Sequence, residues 1–302
     1  VMDIIFMFTH QLILLLITSA SILALFNAVT PLTDRIGVSS PYDFGKIRLW
    51  GSIGYAVCAQ LCGIVYDVIA PISIFVIFLF GTLTAIICIL RVNDPVAVQT
   101  ETKAEYSSKE AYKSLFKNKQ YIIFLIISFF FWGGCTANFT YISVFIKSVG
   151  GTASMVGSYQ LFATLFEVPA ILATDYIIKK FSYKHIMIFA CIMSIVNFVW
   201  YSTLPNPHFI VAVFVFKGLS TILFTMITVR LIMEIVDEKY VSTAFGLQAT
   251  VGRGIGAAVV QLIGGRLIDS YSTMRPFYLF LTVLIVIALL FSISFKEKKA
   301  KS

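Results

Sequence analysis

Four ionisable side chains stand inside or at the edge of long apolar runs: Arg48 in DFGKIRLWGSIGYA, Glu167 in YQLFATLFEVPAILATD, Lys217 in FVFKGLS and Arg253 in ATVGRGIGAAVVQLIGG. Charge in such a run is costly, so these groups usually face a bundle interior or a water-filled cavity and mark a pathway or a site. A guanidinium there can hold a polar solute by charge-assisted hydrogen bonds. A carboxyl withdrawn from water can hold or release a proton near neutrality. Helical spacing puts Arg48, Gly51, Ser52, Tyr55 and Ala59 on one small, polar face, while Leu49, Trp50, Ile53 and Leu61 point elsewhere. This is the pattern of a cavity-lining helix.

Glu167 shares its face with Gln160, Ala163, Thr164, Ala170 and Thr174, and Pro169 follows it, where it should kink the helix and free a backbone carbonyl. The competing reading is a structural ion pair with Arg253 or Lys217. Arg253 lies in a helix of small residues that permits close backbone approach; packing explains the glycines but not the arginine. Lys217 lies nearer one end of its run, so snorkelling to the interface competes with an inward role. Thr136 and Asn138 in GGCTANFTY are polar residues within a helix, candidates for helix–helix hydrogen bonds as well as for solute contact. In TDYIIKKFSYKH, Asp175 followed by Lys179, Lys180 and Lys184 makes an acid-then-basic turn. It can latch one membrane face or serve only as topology charge.

The elements that position these residues are read from hydropathy. The 302 residues are 59% hydrophobic and 13% charged, with mean hydropathy +0.91. Soluble domains average about half apolar and about a quarter charged, so this chain is expected to use lipid as its solvent. Helices of bilayer-spanning length are predicted near 9–33, 45–67, 71–91, 121–146, 154–178, 184–204, 208–231, 240–264 and 276–295. The breaks between them (KSVGGTAS, LPNPH, DSYSTMRP and others) hold the expected Gly, Pro, Ser and Asp. The fold class is therefore an all-α integral membrane bundle of about nine complete spans.

The net charge of +8 does not point to nucleic acid, because the basic residues sit in short loops. Arg35, Lys46 and Arg48, the segment from Arg91 to Lys119, Lys179 to Lys184, Arg230, Lys239 and the tail from Lys296 fall on one side. The other side has Lys147, Arg266 and Arg275. The positive-inside rule makes the rich side cytoplasmic and with it the C-terminus. The one long hydrophilic piece, 92–120, divides 1–91 from 121–302 and contains SSKEAYKSLFKNK, a candidate amphipathic helix. Six predicted spans follow it, one complete half of a transporter built from two six-helix halves; the near part would then lack about three helices. The chain also opens on VMDIIFMF, already apolar and without a cationic leader.

Catalytic patterns are not found. The five cysteines (Cys58, Cys62, Cys88, Cys135, Cys191) lie in apolar runs without metal-ligand spacing to histidine, and read as small packing residues. His10, His185 and His208 fall at predicted helix ends, and no Ser/His/Asp, Walker or zinc-protease spacing is present. Phe129–Phe131 are expected to face lipid or the interface.

The quoted stretches resemble the major facilitator superfamily, particularly its lactose-permease-like (oligosaccharide:proton symporter) branch and the neighbouring nucleoside and phenylpropionate permeases. DFGKIRLWGSIGYA is similar to the fifth helix, FNAVTPLTD to the end of the fourth, FEVPAILATDYIIKKFSYK to the eighth and the loop after it, and GRGIGAAVVQLIGGRLIDSYS to the eleventh. The RLWGSIG signal is specific to this branch; the glycine-rich helix is superfamily-wide. The likeness runs along essentially the whole chain, from the end of helix three to helix twelve. It implies that Arg48 hydrogen-bonds sugar hydroxyls, with Ser52 on the same face, and that Tyr55 offers a stacking surface where the family has a tryptophan. It implies further that Glu167 joins solute binding to protonation, and that Lys217 and Arg253 form a charge network at lysine positions of helices ten and eleven. Asp175, Lys179 and Lys184 become a cytoplasmic gate. The chain departs from the family at Ser220 and Leu223 (histidine and glutamate), near Val196 (arginine), and at Asn138 and Tyr141 (aspartates).

The expected function is secondary active transport of a small polar solute, a sugar or oligosaccharide, by proton symport with alternating access. The alternatives are a proton-coupled carrier of an aromatic carboxylate or nucleoside, drug efflux, and, remotely, a polytopic membrane enzyme. Three membrane cations against one acid suit an anionic cargo. The expected partners are the solute and the lipid bilayer, with no nucleic acid, no metal and no cofactor beyond protons. A monomer in the cell membrane is expected.

Overall fold

The computed structural model describes residues 5, 6, 8, 9, 11–39, 44–91 and 108–295, and among them every regular element is helical. Helices α1 (Leu12–Ser39), α2 (Phe44–Val68) and α3 (Ser73–Leu90) precede a short α4 (Ser108–Lys117). Then come α5 (Lys119–Ser148), α6 (Ala153–Lys180), α7 (Tyr183–Ser202), α8 (Pro207–Ala212) and α9 (Phe214–Ile235). The last span is preceded by α10 (Val241–Ala249), a π-helical turn (Thr250–Gly256) and α11 (Ala257–Tyr271), and is itself α12 (Arg275–Ser294). Each stretch read as a span falls on helix, and among the described residues seven are long and apolar enough to cross a membrane. His10, the linker 92–107 and the tail from Lys296 lie outside the described residues, as do the side chains of Arg48, Ala170, Thr174, Asp175 and Lys179.

The chain forms two compact units, Val1–Lys103 and Ala104–Ser302. In the first, α1 packs on α2 and α2 on α3. Helix α3 is apolar all round, yet none of its residues is buried, so its surface requires lipid. On α3 the threonine hydroxyls are satisfied within the helix, as lipid demands: Thr82 donates to the Phe78 carbonyl at 2.8 Å and Thr84 to that of Phe80 at 2.8 Å.

In the second unit α12 packs against α7 and α5, α9 against α7 and α6, and the π turn against α5. Aromatic rings fill the core. Phe131 stacks on Phe224 with centroids 3.9 Å apart, and Phe145 lies 4.6 Å from Tyr278. Phe131 is thus fully buried, correcting the lipid-facing reading for that residue, while Phe129 and Phe130 are half-buried; an apolar run cannot by itself distinguish lipid from a core of equal polarity. The packing reading of the cysteines holds for Cys135 and Cys191, which are buried, whereas Cys58 and Cys88 are exposed.

The ends of the bundle are tied by named groups. Asn118 caps α5, its Oδ1 accepting from the amides of Gln120 and Tyr121 at 3.1 and 3.2 Å, while its Nδ2 donates to the Ile235 carbonyl at 2.6 Å. Tyr121 Oη donates to the Ala244 carbonyl at 2.8 Å. The start of α5, the end of α9 and the start of α10 therefore share one end of the unit. At the opposite end Gly151 abuts Pro207, and Tyr141 Oη donates to the Gln261 carbonyl at 3.1 Å. Between α5 and α6 the chain turns through Gly150 at φ 87°, a conformation that glycine adopts without strain.

Asn118 joins two devices, and substitutions separate them. Asn118→Ala is expected to lower stability by about 1–2 kcal/mol. Asn118→Asp keeps the cap and loses the bond to Ile235, so its loss should be about half as large; thermal unfolding of the detergent-solubilised protein measures both.

Candidate functional site

Helices α6 and α9 approach closely because residue 218 is glycine. A Cβ there would lie 2.9 Å from the Ala163 carbonyl oxygen, closer than real side chains come. One turn after Ala163 comes Glu167, and one residue before Gly218 comes Lys217. The close approach therefore sets Lys217 Nζ 3.9 Å from Glu167 Oε1. That separation is an ion pair rather than a direct hydrogen bond. Lys217 also lies 5.8 Å from the centroid of the Phe139 ring. The lysine is thus turned inward to an acid, which corrects the snorkelling alternative and selects Lys217 over Arg253 as the partner of Glu167. Gln160, Ala163 and Thr164, expected on the Glu167 face, are all buried.

A second close approach positions Arg253. A Cβ on Gly256 would stand 2.7 Å from the Phe129 carbonyl oxygen, and one on Gly252 would stand 3.1 Å from that of Ser128. Backbone packs on backbone here, and the helix widens to a π turn over Thr250–Gly256, a distortion frequent at functional sites. The Arg253 guanidinium carbon consequently sits 3.8 Å from the centroid of the Trp132 ring, a cation–π stack. The glycines are packing devices, and they serve the arginine.

Between these two cations runs the polar face of α5. Cys135 lies within electrostatic reach of both Lys217 and Arg253. A cavity of about 10 Å³ is lined by Cys135, Asn138, Ser194, Asn197, Phe198, Lys217 and Thr221. That is about the room a single water needs. Asn138 and Asn197 are each 1% exposed, and the Oδ1 of each lacks a hydrogen-bond partner. The Asn138 side chain hydrogen-bonds Tyr159 of α6, in keeping with the helix–helix reading, and its oxygen is left over. Ser220 donates to the Ala190 carbonyl at 2.8 Å and contacts Ser194, a buried hydroxyl network.

An acid paired with an amine inside an apolar bundle, next to a guanidinium on an indole face, can bind a polar solute and exchange a proton. Among the described residues no group of three His, Cys, Asp or Glu could hold a metal.

The profile of the MFS_1 like family matches residues 2–280. This chain belongs to the major facilitator superfamily. It is 27% identical over 272 residues to the maltose permease of Geobacillus stearothermophilus, covering 88% of this chain and 68% of that one. To the sucrose permease of Escherichia coli it is 21% identical over 273 residues, covering 88% and 65%. Its fold matches that of the nucleoside transporter NupG with a TM-score of 0.72 at 15% identity, over 84% of this chain and 68% of that one. The chain spans about two-thirds of the length of these relatives. Members of this superfamily are transporters, not enzymes, which removes the membrane-enzyme alternative.

The structure brings Glu167, Lys217, Asn138 and Arg253 into the second unit and leaves Ser52, half-buried, and Tyr55, 48% exposed, in the first. Arg48 lies on α2, with its side chain outside the described set. Of the turn read as a gate, Lys184 is half-buried near the start of α7, while the side chains of Asp175 and Lys179 are outside the described set. Sequence reasoning missed Trp132, Asn197 and Gly218. Asn197 left a signal, a lone amide in SIVNFVW; Trp132 left none within the aromatic run FFFW.

Because Gly218 sets the spacing of the pair, Gly218→Val should lower stability by about 1–3 kcal/mol. Gly246→Val, whose Cβ would meet nothing within 4 Å, should shift the melting temperature little; thermal unfolding compares the two.

Proposed function

We propose that this chain moves a small polar solute, a sugar or oligosaccharide, by proton symport with alternating access. The observation that carries the reading is the half-buried Glu167–Lys217 pair at 3.9 Å, in the same unit as the stacked guanidinium of Arg253. The named cargoes of its maltose and sucrose permease relatives support a sugar. In this reading Glu167 is the group that gains and loses the proton. While ionised it is held by Lys217; once protonated, it loses that attraction and its hydroxyl becomes a donor to solute. Arg253 and Asn138 are the solute contacts of the second unit in this reading; in the first unit Arg48 acts by charged hydrogen bonds and Tyr55 by stacking, with Ser52 on the same face. Asp175, Lys179 and Lys184 close the cytoplasmic face, with the C-terminus on that side. The protein works as a monomer in the cell membrane and requires no cofactor besides protons.

A nucleoside cargo is the second reading, favoured by the likeness to the nucleoside transporter NupG. Sugar hydroxyls and a ribose present similar hydrogen-bonding edges, so cargo is decided by competition. In energised vesicles, labelled maltose or sucrose should accumulate against its gradient, and excess unlabelled uridine should compete poorly; effective competition by uridine reverses the assignment. Glu167→Gln is expected to abolish accumulation while leaving the protein present in the membrane. Unchanged uphill uptake by that variant would overturn the role given to Glu167.

A further inference from the structure

Two observations in the second unit are not used by the ion pair. The amide oxygens of Asn138 and Asn197 are buried and without partners, and both residues line the same water-sized cavity as Lys217. An unpaired buried acceptor is destabilising, and two around one cavity, beside an ammonium, form a site with an evident complement. An ammonium is close to water in size and carries three donors.

We propose that the Asn138–Asn197 cavity is the alternative seat of the Lys217 ammonium, occupied when Glu167 is protonated or engaged with solute. The proposal rests on reading Glu167 as the proton-linked group. The lysine then has two resting places. Against ionised Glu167 it makes an ion pair at 3.9 Å, too long for a hydrogen bond. With Glu167 neutral, it swings to the two amide oxygens and donates to both, so its donors are never left unsatisfied in the interior. The other ionisable groups near this seat are Cys135 on α5, Tyr159 on α6, which hydrogen-bonds the Asn138 side chain, Tyr201 on α7, which hydrogen-bonds that of Asn197, Cys191 on α7, Tyr278 on α12, and Arg253, which acts on Cys135 from the π turn. Among these named groups Glu167 is the carboxylate, and the amides are uncharged, so the second seat holds the ammonium without an ion pair. In such a device the proton on Glu167 decides which helix contacts Lys217 makes, α6 in one state and α5 with α7 in the other.

The test is a stability cycle that needs no solute. Thermal unfolding is measured for the native protein, Glu167→Gln, the Asn138→Leu/Asn197→Leu pair, and the combination. Glu167→Gln alone should be tolerated because the amides take the ammonium, and the asparagine pair alone because Glu167 keeps it. The combination should lose about 3–8 °C more than the sum of the two. Adding Lys217→Met to the combination should recover that excess, since the stranded charge is gone. If the combination does not fold but its Lys217→Met derivative does, the same conclusion follows. Additive losses, or an excess that Lys217→Met fails to recover, overturn the proposal. Loss of accumulation in Glu167→Gln vesicles with additive stabilities would sink the second seat and spare the proton-linked role of Glu167. The opposite pattern would sink the role and spare the seat.

Discussion

A carboxylate and an ammonium 3.9 Å apart inside an apolar bundle set the terms for everything around them. Each is expensive to desolvate alone, and together they offset that penalty only while the geometry holds. The geometry holds because α9 presents a glycine to the backbone of α6 at Ala163. A larger residue at 218 would separate the helices and strand both charges. The pair sits near a balance point, which suits a function that must switch: a proton on the carboxyl removes most of what retains the lysine, and a hydrogen-bonding solute can compete for either partner.

The same logic places Arg253. Its guanidinium rests on the face of Trp132 at 3.8 Å, and the π turn that carries it is pressed against α5 through glycines. A cation on an aromatic face keeps hydrogen-bond donors at the guanidinium edge. Lys217 faces Glu167, and the guanidinium edge of Arg253 offers donors to polar or electron-rich cargo without specifying it. Two independent close approaches, α6 with α9 and α5 with the π turn, thus bring three charges around the polar face of one helix.

Much of the fold was legible in the sequence because lipid imposes a coarse rule: stretches of about 20 apolar residues must be helical. The nine stretches read from hydropathy all fall on helix, and SKEAYKSLFK, within the amphipathic segment, is α4. The four charges stood out for the same reason. What hydropathy could not supply was partnership. The spacing of Glu167 and Lys217 left Arg253 as an equal candidate for the acid, because the choice depends on which helices touch, and that is set by single glycines. Phe131 was misread because a buried ring and a lipid-facing ring have the same composition. Asn138 was visible as a polar residue, but its relation to Asn197, 59 positions away in the chain, exists only once α5 and α7 are packed.

The claim that this pair couples solute to protons is tested most directly by following protons as solute moves. De-energised vesicles bearing the native protein should alkalinise a weakly buffered medium when maltose or sucrose is added. Vesicles bearing Glu167→Gln together with Lys217→Met, a neutral replacement that leaves no stranded charge, should admit the same sugar without a pH change. A solute-dependent pH change of native size in the double variant would contradict the account, since protons would then move with solute through groups other than this pair.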